Sequence, residues 1–286
     1  MHRPLCVMYQ TIMKILTLIT FCFFIISCNG QNKKDINNSK QDEIIEKYLK
    51  NGAWNYHFVT KEWNEWIDKA IQEDSTIAYL WQQKAIPFWK QKKYELATTY
   101  YNKAVELDRK NWLSRLAFLK CIFTKDYEGA LSDLIAYKKE FGSTIEQDHS
   151  LEIYMGICYL QLNRFDKALK TFKDDIENQE KEHEPNWVHY LDRYYLAMAY
   201  YEKNDYKTAI SELDKVLNEY PNFSDAQYYK SICLNYLGEK EKAKILMAKG
   251  KSNFENGRTF NEDSNSYETY PYQLTWQWKH TVSILE

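Results

Sequence analysis

Glycine and proline are scarce: 8 Gly and 5 Pro in 286 residues. Sheet sandwiches need turn residues every few positions, and long disordered linkers are rich in both types, so both classes are excluded. Charge of either sign is not in excess. The formal net charge is −2 with 27% charged residues, which leaves no basic footprint for nucleic acid. Cysteines number six, and only Cys121, Cys158 and Cys233 lie beyond the first thirty residues. An odd count, widely spaced within apolar helical patterns, reads as buried thiols rather than a disulfide framework. Long apolar runs are missing except for Met13 to Cys28, too short and too abruptly ended to span a membrane. A glycine-rich phosphate loop and a nucleophile elbow are also missing, so no enzyme is expected.

Aromatic residues, by contrast, are plentiful: 16% of the chain, with 24 Tyr and 9 Trp. The class expected is all-α with aromatic surface to spare. The N-terminal run "MKILTLITFCFFIISC" has one lysine, an apolar stretch, then a small residue before a cysteine, the pattern of a signal segment. Met13 reads as its natural start. "IISC" followed by the polar "NGQNKKDINNSKQ" resembles a bacterial lipobox, with Ile25 standing where that family prefers leucine. The resemblance implies cleavage before Cys28, acylation of Cys28 and a membrane anchor, since several acyl chains hold where one is marginal. An uncleaved anchor is the alternative. Residues 1–27 are then a signal peptide and 28–41 a lipidated tether. Asn29 carries no acidic retention signal, so the outer membrane is favoured.

An internal repeat organises the rest. "KKYELATTYYNKAVELD", "KDYEGALSDLIAYKKEF", "NRFDKALKTFKDDIENQ", "NDYKTAISELDKVLNEY" and "GEKEKAKILMAKGKSNF" share an alanine three residues after an aromatic: Tyr94/Ala97, Tyr127/Ala130, Phe165/Ala168 and Tyr206/Ala209. The fifth keeps Ala243 behind Lys240. Upstream of each lies a second helical pattern with small residues at Ala85, Gly156, Ala197 and Ser231. In the second copy Phe118 takes that place with Ala117 beside it, so its register slips by one. This pattern resembles the tetratricopeptide repeat (TPR), a 34-residue helix–turn–helix. The resemblance implies a right-handed α-solenoid of five to six units: five over 78–251, a degenerate capping repeat over 42–77, and a C-terminal tail, 252–286, packing on the array. Lys84 and Lys230 depart from the pattern by replacing an apolar residue.

The same resemblance implies a protein or peptide partner held on the inner wall, which helix A of each unit lines. Those positions hold Gln82, Ile86 and Trp89; Ile153, Ile157 and Leu160; Tyr194, Met198 and Tyr201; Asp225, Tyr228 and Ile232. An exposed wall so apolar marks an interaction site. Gln82 and Ile86 stand where chaperone-binding members place the residues that clamp a carboxylate, so a co-chaperone is not expected. The expected function is a lipid-anchored scaffold for protein–protein interaction in the bacterial envelope, with glycan capture by an outer-membrane lipoprotein as the alternative. No cofactor or metal is expected. His183 and His189, with Pro185 between them, read as a solvated insertion loop. Pro87 inside "AIPFWKQKKYELA" is expected to kink helix A, either tolerated by its neighbours or tilting Ile86 and Trp89 toward a ligand. The alternation from Leu274 to Ile284 predicts a strand that leans on the array, as a cap on the last repeat or as a cover of the groove.

Overall fold

The computed structural model describes residues 39–182 and 187–275. The signal segment, Cys28, most of the tether, His183, Pro185 and the alternating stretch from Trp276 onward lie outside the described residues. The chain divides into two compact units, one ending at Pro87 and one beginning at Phe88.

In the first unit, α1 (39–45) runs into a π-helical turn at Glu46–Lys50, followed by a 3-10 turn at Ala53–Asn55 and α2 (Lys61–Glu73). Thr60 caps α2, its hydroxyl accepting from the Trp63 amide at 3.3 Å. Ile44, Leu49, Trp63, Ile67 and Leu80 form the core, with Tyr48 and Trp66 against it. Helix α3 (Ala78–Lys90) continues unbroken through Pro87, and the boundary between the units falls at that residue.

The second unit repeats one motif. Its helices are α4 (Tyr94–Leu107), α5 (Arg109–Leu119), α6 (Tyr127–Phe141), α7 (Leu151–Gln161), α8 (Phe165–Glu182), α9 (Tyr190–Glu202), α10 (Tyr206–Glu219), α11 (Ser224–Tyr236) and α12 (Lys240–Glu255). Each packs on the next along the chain. The aromatic of the first four repeats, and Lys240 in the fifth, is the first residue of its B helix, and the alanine three positions on is fully buried in all five. Small residues admit the neighbouring helix because they carry little or no side chain. Schellman turns join A to B: at Gly238 (φ +82°) the Gly238 amide donates to Asn235 O at 3.0 Å and the Glu239 amide to Leu234 O at 2.9 Å. Lys92, Asn163 and Asn204 occupy the same left-handed position in their repeats.

Departures from the repeat have local causes. The one-residue slip of the second copy is absorbed by a π-helical turn, Lys120–Thr124, so that Ala117 and Phe118 are both buried. Lys84 is buried because it reaches Asp68 at 2.5 Å, sixteen positions upstream, and Lys230 pairs with Asp214 at the same offset. A two-residue hairpin, β1 (Ile145–Glu146) and β2 (His149–Ser150), interrupts the helices, its turn made by Gln147 and Asp148, both at positive φ. Helix α12 runs to Glu255, where Gly257 (φ +72°) closes it, so the tail begins at 256 and not at 252.

Gly156 shows how tight the A–B approach is. A Cβ there would stand 2.2 Å from Cε1 of Phe172, whose ring is fully buried and stacked on Tyr195. Gly156→Ala should therefore destabilise the chain by about 2 kcal/mol, overpacking outweighing the gain in helix propensity. Urea unfolding checks this: the midpoint falls with the slope unchanged.

Candidate functional site

The helix A faces of the second unit are covered by the chain's own C-terminal segment, residues 258–275. Its course starts and ends on one carboxylate. Asp225, in the first turn of α11, accepts from the Thr259 hydroxyl at 2.7 Å and from the Leu274 amide at 2.7 Å, with the Ser224 hydroxyl at 3.0 Å. Burial pushes the Asp225 carboxyl up to about 6, against the lowering effect of those hydrogen bonds. From there Phe260 sinks among Tyr194, Tyr195, Phe223 and Tyr270 at ring separations of 5.5–6.3 Å.

The segment then reaches the first repeat of the unit. Lys90 sits 3.5 Å above the Tyr267 ring, and Glu268 accepts from Tyr94 and pairs with Lys92. Its carboxyl lies below the usual range: burial would raise it, but the Tyr94 and Lys92 hydrogen bonds prevail. Lys125 donates to Thr269 O on the way back. The Tyr195 hydroxyl donates to Pro271 O at 3.1 Å, the Tyr194 hydroxyl to Tyr272 O at 2.9 Å, and the Tyr272 hydroxyl to Glu202 at 2.8 Å. Leu274 closes the path against Tyr228 and Met247, with Ile232 at the edge.

The wall residues named from sequence therefore divide. Gln82 and Ile86 lie in the first unit and are half-buried. Trp89 is buried within the second unit against Tyr94, Tyr101 and Phe123, while Phe88 is half-buried beside Tyr100. Ile153, Ile157, Leu160, Tyr194, Met198 and Tyr228 are buried; Tyr201 and Ile232 are half-buried. Tyr194 bonds the segment directly, Tyr228 shares a core cluster with its Leu274, and Ile232 packs against that cluster. Sequence reasoning missed Tyr195, Phe260 and Tyr270. The signal available was the density of aromatic residues in "TFNEDSNSYETYPYQLTW" itself.

A second cluster was also missed. The hairpin carries His149 into the protein interior, where its Nδ1 lies 3.1 Å from Asp192 Oδ1 and its Nε2 lies 3.5 Å from Glu262 Oε2. Burial alone would lower its pKa, but the two carboxylates outweigh that and push it up to about 9. His189 is no solvated loop residue: it caps α9, its Nδ1 accepting from the Leu191 amide at 3.4 Å, and packs edge-on against His149. Burial, then the charge on His149, lowers its pKa. Cys121, Cys158 and Cys233 are buried and free, and the Cys158 thiol is held well up by a hydrogen bond with Cys121 and by burial.

Two tetratricopeptide-repeat models match the chain, over residues 78–111 and 193–222. The chain thus carries tetratricopeptide repeats over those residues, and its fold is that of the tetratricopeptide-repeat α-solenoids. A tetratricopeptide repeat protein from Parabacteroides merdae ATCC 43184 is similar with a TM-score of 0.58 and 18% identity, over 75% of this chain and 80% of that one. A chain of the APC/C hetero-tetramer Cut9–Hcn1 gives 0.53 and 16% over 68% of this chain and 37% of its own. MamA gives 0.50 and 16% over 68% and 97%. At these identities the likeness is one of fold. No curated protein matches the sequence. The repeats make the chain a scaffold for protein–protein interaction. Among the described residues no helix is long and apolar enough to cross a membrane.

Proposed function

We propose that the protein is a non-enzymatic scaffold anchored through lipid on Cys28 to a bacterial membrane, the outer one, and that it takes an extended protein segment on the helix A wall of its second unit. Residues 258–275 occupy that wall as a tethered placeholder, which a partner displaces. The supporting observation is the way the segment is held. Lys125, Tyr194 and Tyr195 donate to its backbone carbonyls, contacts any extended chain can accept. Side-chain contacts add selectivity: Lys90 over a tyrosine ring, Lys92 and Tyr94 on a carboxylate, Glu202 on a tyrosine hydroxyl. The partner favoured is thus an extended segment rich in tyrosine and acidic residues.

The test is crosslinking and pull-down from membranes, comparing the lipidated native chain with a lipidated Phe260→Ala chain in which the placeholder is loosened. A reproducible protein partner, recovered in greater yield with the variant, is expected, and Cys28→Ser should remove both chains from the membrane fraction. Recovery of no protein partner by either chain, together with retention of residues 29–286 on a glycan array, would replace this reading with glycan capture.

A further inference from the structure

The His149–His189–Asp192 cluster borders the C-terminal segment at Glu262, and nothing in the scaffold reading uses its three side chains. One ligand atom from each of these three residues lies within 4.8 Å of the others. They come from two places in the sequence, the hairpin strand β2 and the first turn of α9. His189 at the N-cap and Asp192 three positions on share one face of the α9 entry. We propose that these three side chains form a binding site for a divalent transition-metal ion of the zinc class. Two imidazoles and a carboxylate are the donor set that suits such an ion and that calcium or magnesium avoids.

The surroundings match what a metal site requires. His149 would bind through Nδ1, the nitrogen facing Asp192, while Nε2–H faces Glu262, giving the carboxylate–histidine–metal arrangement that fixes a ligand imidazole. Loading exchanges the Nδ1 proton for the ion. His189 offers Nε2 as its ligand atom; the neutral ring then carries its proton on Nδ1, so loading shifts that proton from Nε2 and gives up the contact that Nδ1 accepts from the Leu191 amide. Asp192 is itself held: Gln179 Nε2 donates to its Oδ2 at 3.1 Å and also to Asp175 at 2.9 Å. Bonds of 2.0–2.2 Å bring ligand atoms to about 3.3 Å from one another. Rotation of the half-buried His189 ring supplies that closure. An approach exists on both sides, because His189 lines a cavity of about 680 Å³ with Asp192 and another of about 500 Å³ with Glu262. The metal would also tie the tail to the array, since Glu262 belongs to the C-terminal segment.

The test uses the full chain in detergent, stripped with chelator and titrated with Zn²⁺ by equilibrium dialysis, and with Co²⁺ to read ligand-field bands. One tight Zn²⁺ per chain is expected, with cobalt bands of a four-coordinate nitrogen–oxygen site and a rise in the unfolding midpoint on loading. His189→Asn keeps the helix cap and removes the imidazole; it should abolish the tight site while circular dichroism stays native. Gln179→Ala should weaken binding about 10-fold or more. His57→Ala, in the first unit, should change nothing. Absence of stoichiometric zinc, or equal retention by His189→Asn, overturns the proposal. Should His189→Asn fold poorly, Asp192→Asn gives the same decision, because its amide keeps the Gln179 and His149 contacts in reach.

Discussion

Phe260→Ala should cost about 3–5 kcal/mol of docking energy in the C-terminal segment, the range for deleting a buried phenylalanine ring. The ring is nearly inaccessible to solvent and meets four other aromatic rings. Two of them, Tyr194 and Tyr195, also hold the segment by hydrogen bonds, so loss of the ring loosens the carbonyl contacts as well. The helices of the second unit also pack directly on one another, each on the next. The expected result is a chain whose far-UV circular dichroism is unchanged but which limited proteolysis now cuts within 258–275. Native resistance to the protease, or cutting throughout the helices, would show that the segment is not a separable element.

Asp225→Asn should change the dependence of stability on pH. In the folded chain the Asp225 carboxyl is pushed up to about 6 from 3.8, so its contribution is fully present below about pH 4 and is lost as pH rises through 6. The two-unit difference corresponds to about 3 kcal/mol. Asparagine keeps an acceptor for the Leu274 amide, and its NH₂ can donate to the Thr259 hydroxyl, so the variant resembles the protonated native chain. Denaturant titrations of both chains across the range cancel the other carboxylates. The variant should match the native chain near pH 4 and exceed it by about 3 kcal/mol at pH 8. A gap that does not change with pH would refute the role given to Asp225. A carboxylate kept where an amide would be quieter suits a segment meant to be released, a trade of stability against function.

Much of the array was legible because its determinants are local. An aromatic followed by an alanine three residues later marks four of the five B-helix starts, since that alanine sits where two helices approach and nothing larger fits. The departures were legible as anomalies and not as causes: the partners of Lys84 and Lys230 stand sixteen residues away on another helix. The hairpin escaped because Gln-Asp makes its turn in place of the Asn-Gly or Asp-Gly that signals one. With it went His149, which has no helical or loop pattern pointing to Asp192 or Glu262. The wall residues of α9 and α11 were found by register, and a tail covering the groove was one of the two placements expected, but the contacts that hold it were not legible. Contacts such as Tyr94 with Glu268 join residues 174 apart, and no periodicity carries that information.

Native-state hydrogen exchange on the lipid-free chain, residues 29–286, addresses the tethered segment most directly. The amides of Leu274 and Tyr270, which donate to Asp225 and Gln273, are the reporters. They should exchange through an opening several kcal/mol below that of the buried α7 and α9 amides, with the helices intact. Exchange of Leu274 and Tyr270 only through the same global opening as α9 would contradict it, making the segment an integral part of the fold and not a ligand held in a groove.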